Sequence, residues 1–157
     1  MGNWIFIAPI VGVIALIFAF FLSKKVSREE AGTDRMKEIA EAISDGAHAF
    51  LTAEYRILVI FIVVLFVLIA VGIGVGSGIA FVAGTLCSIL AGYFGMSVAT
   101  KANVRTANAA RTSGMNRALS IAFSGGAVMG MSVVGLGLLG VSIVYMVTGD
   151  TNILFGF

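Results

Sequence analysis

Residues 57–75 read ILVIFIVVLFVLIAVGIGV, with no Asp, Glu, Lys, Arg or His among them. At 1.5 Å per helical residue the run reaches about 28 Å, close to the roughly 30 Å hydrocarbon core of a bilayer. Working outward, three further runs have the same character: Trp4 to Leu22, Gly78 to Ala99 and Ala118 to Val147. The chain is 59% hydrophobic, only 11% of its residues are charged, and its mean hydropathy is +1.07. That profile excludes an ordinary soluble globule and predicts an all-α polytopic membrane protein. The expected helices cover about residues 4–22, 34–75, 78–100 and 116–148, forming one transmembrane unit.

The placement of charge predicts an orientation. Lys24, Lys25, Arg28, Arg35, Lys37 and Arg56 follow the first run, and Lys101, Arg105, Arg111 and Arg117 follow the third. The link between the second and third runs has no basic residue. By the positive-inside rule both basic segments are cytoplasmic, which puts both termini outside (N-out/C-out). The first run has no basic residue before it and two lysines just after it, the polarity of an N-out anchor rather than a secretory signal. Met1-Gly2 is followed by Phe6 where a myristoylation signal requires Ser or Thr. The net charge of +2 reflects this topology, and no nucleic-acid partner follows from it.

Between the first two runs, Ser27 to Gly32 reads as a connector, and Thr33 or Asp34 caps a new helix. From there Met36, Ile39, Ala40, Ile43, Ala47, Phe50 and Leu51 recur at three- and four-residue spacing, with Asp34, Lys37, Glu38, Glu41 and Asp45 on the other side. The pattern continues into Ile57 without proline, so the second helix extends into the cytoplasm by about 33 Å before it enters the bilayer. Its acids argue against lying flat on anionic lipid, so its apolar stripe is expected to meet a partner surface. Gly72, Gly74, Gly76 and Gly78 predict a tight turn. Gly84, Gly92 and Gly95, then Gly125, Gly126, Gly130, Gly135, Gly137 and Gly140, predict close helix packing, with Gly126 and Gly130 as a small-xxx-small pair. Pro9 falls where a first turn tolerates it.

Candidate chemistry is sparse. A pump or hydrolase ordinarily places ionisable groups within the membrane, and none of the four runs has one. Glu54 and Arg56 read as interfacial anchors, and His48 lacks a second ligand at metal-binding spacing. Cys87 is alone, which excludes an internal disulfide and suggests a packed thiol. Glu38, Glu41 and Asp45 read as a solvated helix face rather than a magnesium site. Lys101, Asn103, Arg105, Asn108 and Arg111 read as a polar basic connection that steers phosphate at most by long-range attraction. Phosphate-cradling loops, nucleophile elbows and zinc-protease helices are absent from the sequence. No catalytic, cofactor-binding or metal residue is therefore assigned.

Three stretches together resemble the membrane-integral, ion-translocating inorganic pyrophosphatases: Glu38 to Arg56 (EIAEAISDGAHAFLTAEYR), Gly92 to Arg111 (GYFGMSVATKANVRTANAAR) and Ala122 to Met131 (AFSGGAVMGM). The resemblance covers essentially the whole chain. It implies the first four helices of a larger pump of roughly sixteen. Such a pump works as a homodimer, cleaves magnesium pyrophosphate on the cytoplasmic side and moves protons or sodium ions outward. Magnesium, and potassium in some members, belong to the full-length protein, and neither is expected on this chain. The segment resembling D-V-G-A-D-L-V-G-K, which grips metal and substrate in relatives, would follow Phe157. The resemblance thus implies the amino-terminal part of a hydrolase and translocase in a multi-pass prokaryotic cell membrane, inactive by itself. Its partners would be the bilayer, the remaining helices and pyrophosphate. A stand-alone, non-catalytic four-helix assembly module is the alternative. A compact four-helix drug exporter fits poorly, because the first run lacks the carboxylate such carriers use.

Overall fold

The computed structural model describes residues 6–157, and among them every regular element is a helix. The expected start of the first helix at Trp4, and the Met1-Gly2 terminus, lie outside the described residues. The elements are α1 (Ile7–Arg28), α2 (Asp34–Gly72), α3 (Val75–Thr112), α4 (Met115–Thr148) and the single turn α5 (Thr151–Leu154). The first four are each long and apolar enough to cross a membrane. Pro9 sits in the first turn of α1, where no intrahelical donor is lost.

Helix α2 starts as its sequence predicts. Thr33 is the cap, its Oγ1 accepting from the Met36 N–H at 3.4 Å, and Asp34 complements the helix dipole in the first turn. It ends at Gly72, three residues short of the expected 75, because Gly74 adopts φ 149° and reverses the chain. That conformation favours glycine.

Two helices outrun their apolar stretches. Helix α1 continues past Leu22 to Arg28, and α3 continues past Ala99 to Thr112. The segment from Lys101 to Arg111, read from sequence as a connection, is therefore helical. The cause is local: neither Pro nor Gly occurs between Gly95 and Gly114, and alanines fill the stretch. Thr100 and Thr112 donate their hydroxyls to the carbonyls of Met96 (3.1 Å) and Asn108 (2.9 Å), one turn back. Gly114 (φ 84°) then makes the turn into α4.

Helices α3 and α4 form the centre, α1 lies along α4 and touches α3, and α2 packs along α3. The core is built from small side chains. Ala19, Val26, Val98, Ala102 and Val128 form its main cluster, joined by the half-buried Leu22. Glycines set the spacing: a Cβ on Gly135 would stand 2.8 Å from Leu16 Cδ2 and 2.9 Å from the Gly12 carbonyl oxygen, and one on Gly125 would stand 2.8 Å from Ala102 Cβ. Here α1, α3 and α4 approach closely enough for dispersion contact to hold them, as membrane helices require. Gly126 and Gly130, expected to pack as a pair, face open space. At the opposite end, which carries Asp150, Gly149 (φ 62°) closes α4. There α5 folds back over α3, with Ser77 Oγ donating to the Asn152 carbonyl at 3.3 Å.

Candidate functional site

A set of polar side chains gathers at the basic end, where the α1–α2 connector meets the extended parts of α3 and α4. Helix α1 leaves its last carbonyls without intrahelical donors, as every helix does. Arg105, carried there by the α3 extension, supplies them: its Nε donates to the Glu29 carbonyl at 3.0 Å, and Nη2 lies 3.5 Å from the Ser27 carbonyl. Its Nη1 donates to the Lys101 carbonyl at 2.9 Å, bracing the guanidinium on its own helix. A cation at a helix C-terminus also complements the dipole, and Lys25 and Arg28 add to this.

One turn on, the buried Asn108 side chain donates from Nδ2 to the Glu30 carbonyl at 3.2 Å and accepts from Arg111 Nη2 at 3.2 Å. Arg117 of α4 forms a salt bridge with the Glu29 carboxylate. Gly32, at φ 88°, passes so near that a Cβ would meet Met36 Sδ at 2.7 Å and Asn108 Oδ1 at 2.8 Å. The connector is thus clamped by three side chains from two helices. Arg105 has its donor fork engaged by carbonyls, so its chemistry here is that of a clamp rather than of a phosphate receptor.

The other singled-out residues do not converge on this point. Glu54, Arg56 and His48 are exposed on α2, the His48 ring 6.3 Å from that of Tyr93 on α3. Tyr55, between the two interfacial charges, donates from its hydroxyl to the Ile89 carbonyl at 3.2 Å and ties α2 to α3. Glu38, Glu41 and Asp45 are solvated, with Glu38 paired to Arg35 at 2.7 Å. Asn103 and Lys101 are exposed on α3. Lys24 folds its ammonium over Phe20, 4.5 Å from the ring centroid, as a lysine leaving an apolar helix tends to do. Cys87 is a half-buried free thiol on α3. The apolar stripe of α2 is partly answered from within the chain: Met36, Ile39, Ala40 and Ile43 share a groove with Thr100 and Val104 of α3. Ile39, Ile43 and Phe50 nevertheless remain about half exposed. Sequence reasoning missed the connector clamp, since its acceptors are backbone carbonyls with no residue signature. The one available signal was Gly32-Thr33, which marks a tight chain reversal.

Comparison with known proteins supplies what the geometry alone does not. The family described as "Inorganic H+ pyrophosphatase" matches residues 13–156. The chain is 47% identical to the "K(+)-insensitive pyrophosphate-energized proton pump" of Methanosarcina mazei, an alignment covering 100% of this chain and 24% of that protein. It is 43% identical to "K(+)-insensitive pyrophosphate-energized proton pump 2" of Moorella thermoacetica (93% of this chain, 22% of that protein). It is 41% identical to the "K(+)-stimulated pyrophosphate-energized sodium pump" of Thermotoga maritima (89% of this chain, 20% of that protein). The chain therefore spans about a quarter or less of the length of these relatives. With a match from residue 13 to residue 156 on four membrane-capable helices, the chain belongs to the inorganic H+ pyrophosphatase family.

Proposed function

We propose that this chain is the amino-terminal part of a pyrophosphate-energised cation pump, in which hydrolysis of inorganic pyrophosphate drives protons or sodium ions across a prokaryotic cell membrane. The observation that carries the reading is the family match over residues 13–156. In this reading the basic end lies in the cytoplasm and both termini outside, as the basic residues at one end of the bundle favour. The remaining helices, and a second copy in a homodimer, are the partners.

Magnesium supplies charge neutralisation and an activated water in such hydrolysis. The residues described here do not fit it: among them no three His, Cys, Asp or Glu side chains come together. No step of hydrolysis is therefore routed through this chain, and magnesium, with potassium where a member needs it, is assigned to the rest of the pump. What these residues contribute is scaffold: Arg105, Asn108 and Arg117 fix the α1–α2 connector and so set the angle at which α2 leaves the bundle.

The test is a chimera in which residues 1–157 replace the aligned segment of the Methanosarcina mazei pump. Membrane vesicles carrying it are expected to cleave pyrophosphate when magnesium is added and to build a cation gradient, whereas the 157-residue chain alone does neither. Hydrolysis by the isolated chain, or an inert chimera whose helices are normally inserted, overturns the reading.

A further inference from the structure

Helix α1 contains no Asp or Glu, and three cations follow its apolar run. Its buried residues, Gly12, Ala15, Ala19 and Val26, form one face, turned to α4 and α3. At 3.6 residues per turn, Phe20, Phe21, Lys24, Lys25 and Arg28 fall together on the opposite face, and all five are exposed. The Phe20 and Phe21 rings meet edge to face with centroids 6.3 Å apart, and the Lys24 ammonium lies over Phe20. The apolar run stops at Leu22. Lys24 and Lys25 therefore stand about 3–5 Å beyond it and Arg28 about 9 Å, at the depth of the lipid headgroups, with the two rings about one turn deeper.

Positive-inside topology explains the sign of the charge at this end but not how it is shared out. Arg35 and Lys37 pair with acids of α2, Arg117 pairs with Glu29, and Arg105 and Arg111 are held by carbonyls and by Asn108. Among the described residues, no side-chain hydrogen bond or ion pair joins Lys24, Lys25 or Arg28 to another residue. Of the acids that follow, Glu29 is neutralised by Arg117, and Glu30 is drawn toward α3 through the bond from Asn108 to its carbonyl. Arg105 satisfies the carbonyls at the end of α1, so the α1 cations face outward. The result is uncompensated positive charge over apolar rings, on a face covered by no other helix of the chain. Its complement is an anion with an apolar body.

We propose that the outer face of α1 at its basic end binds an anionic phospholipid, whose phosphate meets Lys24, Lys25 and Arg28 and whose acyl chains lie on Phe20 and Phe21. The Arg28 fork suits two phosphate oxygens, while the lysines act as point charges. The proposal stands on α1 itself and does not depend on the chain being part of a pump.

The test uses the purified chain in nanodiscs, where both leaflets have one composition and insertion orientation is immaterial. Phosphatidylglycerol or phosphatidylcholine carrying a photoreactive group in the acyl chain is added in trace amount, and adducts on residues 17–21 are read by mass spectrometry. Phosphatidylglycerol is expected to label them about tenfold more than phosphatidylcholine. Replacing all three cations together (Lys24→Gln, Lys25→Gln and Arg28→Gln) should reduce the two probes to equal labelling, with helicity unchanged. High salt should do the same to the unaltered chain, which needs no substitution. Arg56→Gln and Lys101→Gln, at exposed cations on other helices, should leave the preference intact. Inorganic phosphate at matched ionic strength should not compete, because it has no acyl chain to place on the rings. Equal labelling by the two lipids, a preference that survives loss of all three cations, or displacement by inorganic phosphate overturns the proposal. A preference seen in the chain but lost in the chimera described above identifies a protein segment as the occupant of this face and overturns it as well.

Discussion

Arg105 and Asn108 show how a polar residue at a membrane surface can be structural through the backbone it holds. Each donates to a carbonyl more than seventy positions away along the chain. A hydrogen bond from a charged donor contributes about 1.5–3 kcal/mol, so Arg105→Ala should lower the melting temperature in detergent and open Lys24, Lys25 and Arg28 to trypsin. Arg105→Lys keeps the charge but not the fork and should recover only part of the loss. A melting curve for Arg105→Lys superimposable on the wild type would show that charge alone suffices. Gly32→Ala forces a side chain into a left-handed conformation at about 1–2 kcal/mol, and its Cβ also collides with Met36 and Asn108. It should destabilise at least as much as Asn108→Ala in the same melting assay. None of this was legible from composition, since lysines and arginines at a membrane face are expected for topology alone. A rule that counts basic residues is silent about whether a given guanidinium faces water or a carbonyl.

Among the helices, the legible parts were those whose signal is chemical and local. Thr33 as a cap and a turn at Gly72 to Gly78 were read from the sequence, whereas Gly114 and Gly149, which also hold positive φ at helix ends, were not singled out. The ends of α1 and α3 were not legible, because hydropathy reports where lipid stops and not where backbone hydrogen bonding stops. The α4 glycines looked alike in sequence but divide in the structure: Gly125 and Gly135 sit at helix crossings, whereas Gly126, Gly130 and Gly137 stand open. Periodicity could have sorted them into faces, but only the positions of α1 and α3 say which faces are covered. Gly135→Leu should therefore push α1 off α4, seen as loss of cross-linking between cysteines placed at Ala19 and Val128, which share the main core cluster, in the isolated chain. Gly130→Leu in the same background should leave that cross-link intact, and equal effects of the two would contradict the packing described.

For the whole molecule, the sequence announced a four-helix membrane unit, and the structure adds that α2 is attached chiefly along α3. Orientation is testable directly. Ser113→Cys, at the turn between α3 and α4, should react with an impermeant thiol reagent in inside-out vesicles and not in right-side-out ones; the reverse pattern would invert the topology. The clamp at the basic end also has a meaning in time. The donors that close the α1–α2 connector lie 76 residues (Arg105) and 88 residues (Arg117) beyond Glu29. At about 5–20 residues per second of synthesis, they emerge roughly 4 to 18 seconds after it. In the later part of that interval α1 and α2 have both been synthesised, while the carbonyls at the end of α1 still lack the donors that α3 and α4 will supply. A chain halted between the second and third apolar runs would thus hold two helices whose connector is unlatched at its basic end, since every side chain that latches it comes from α3 or α4.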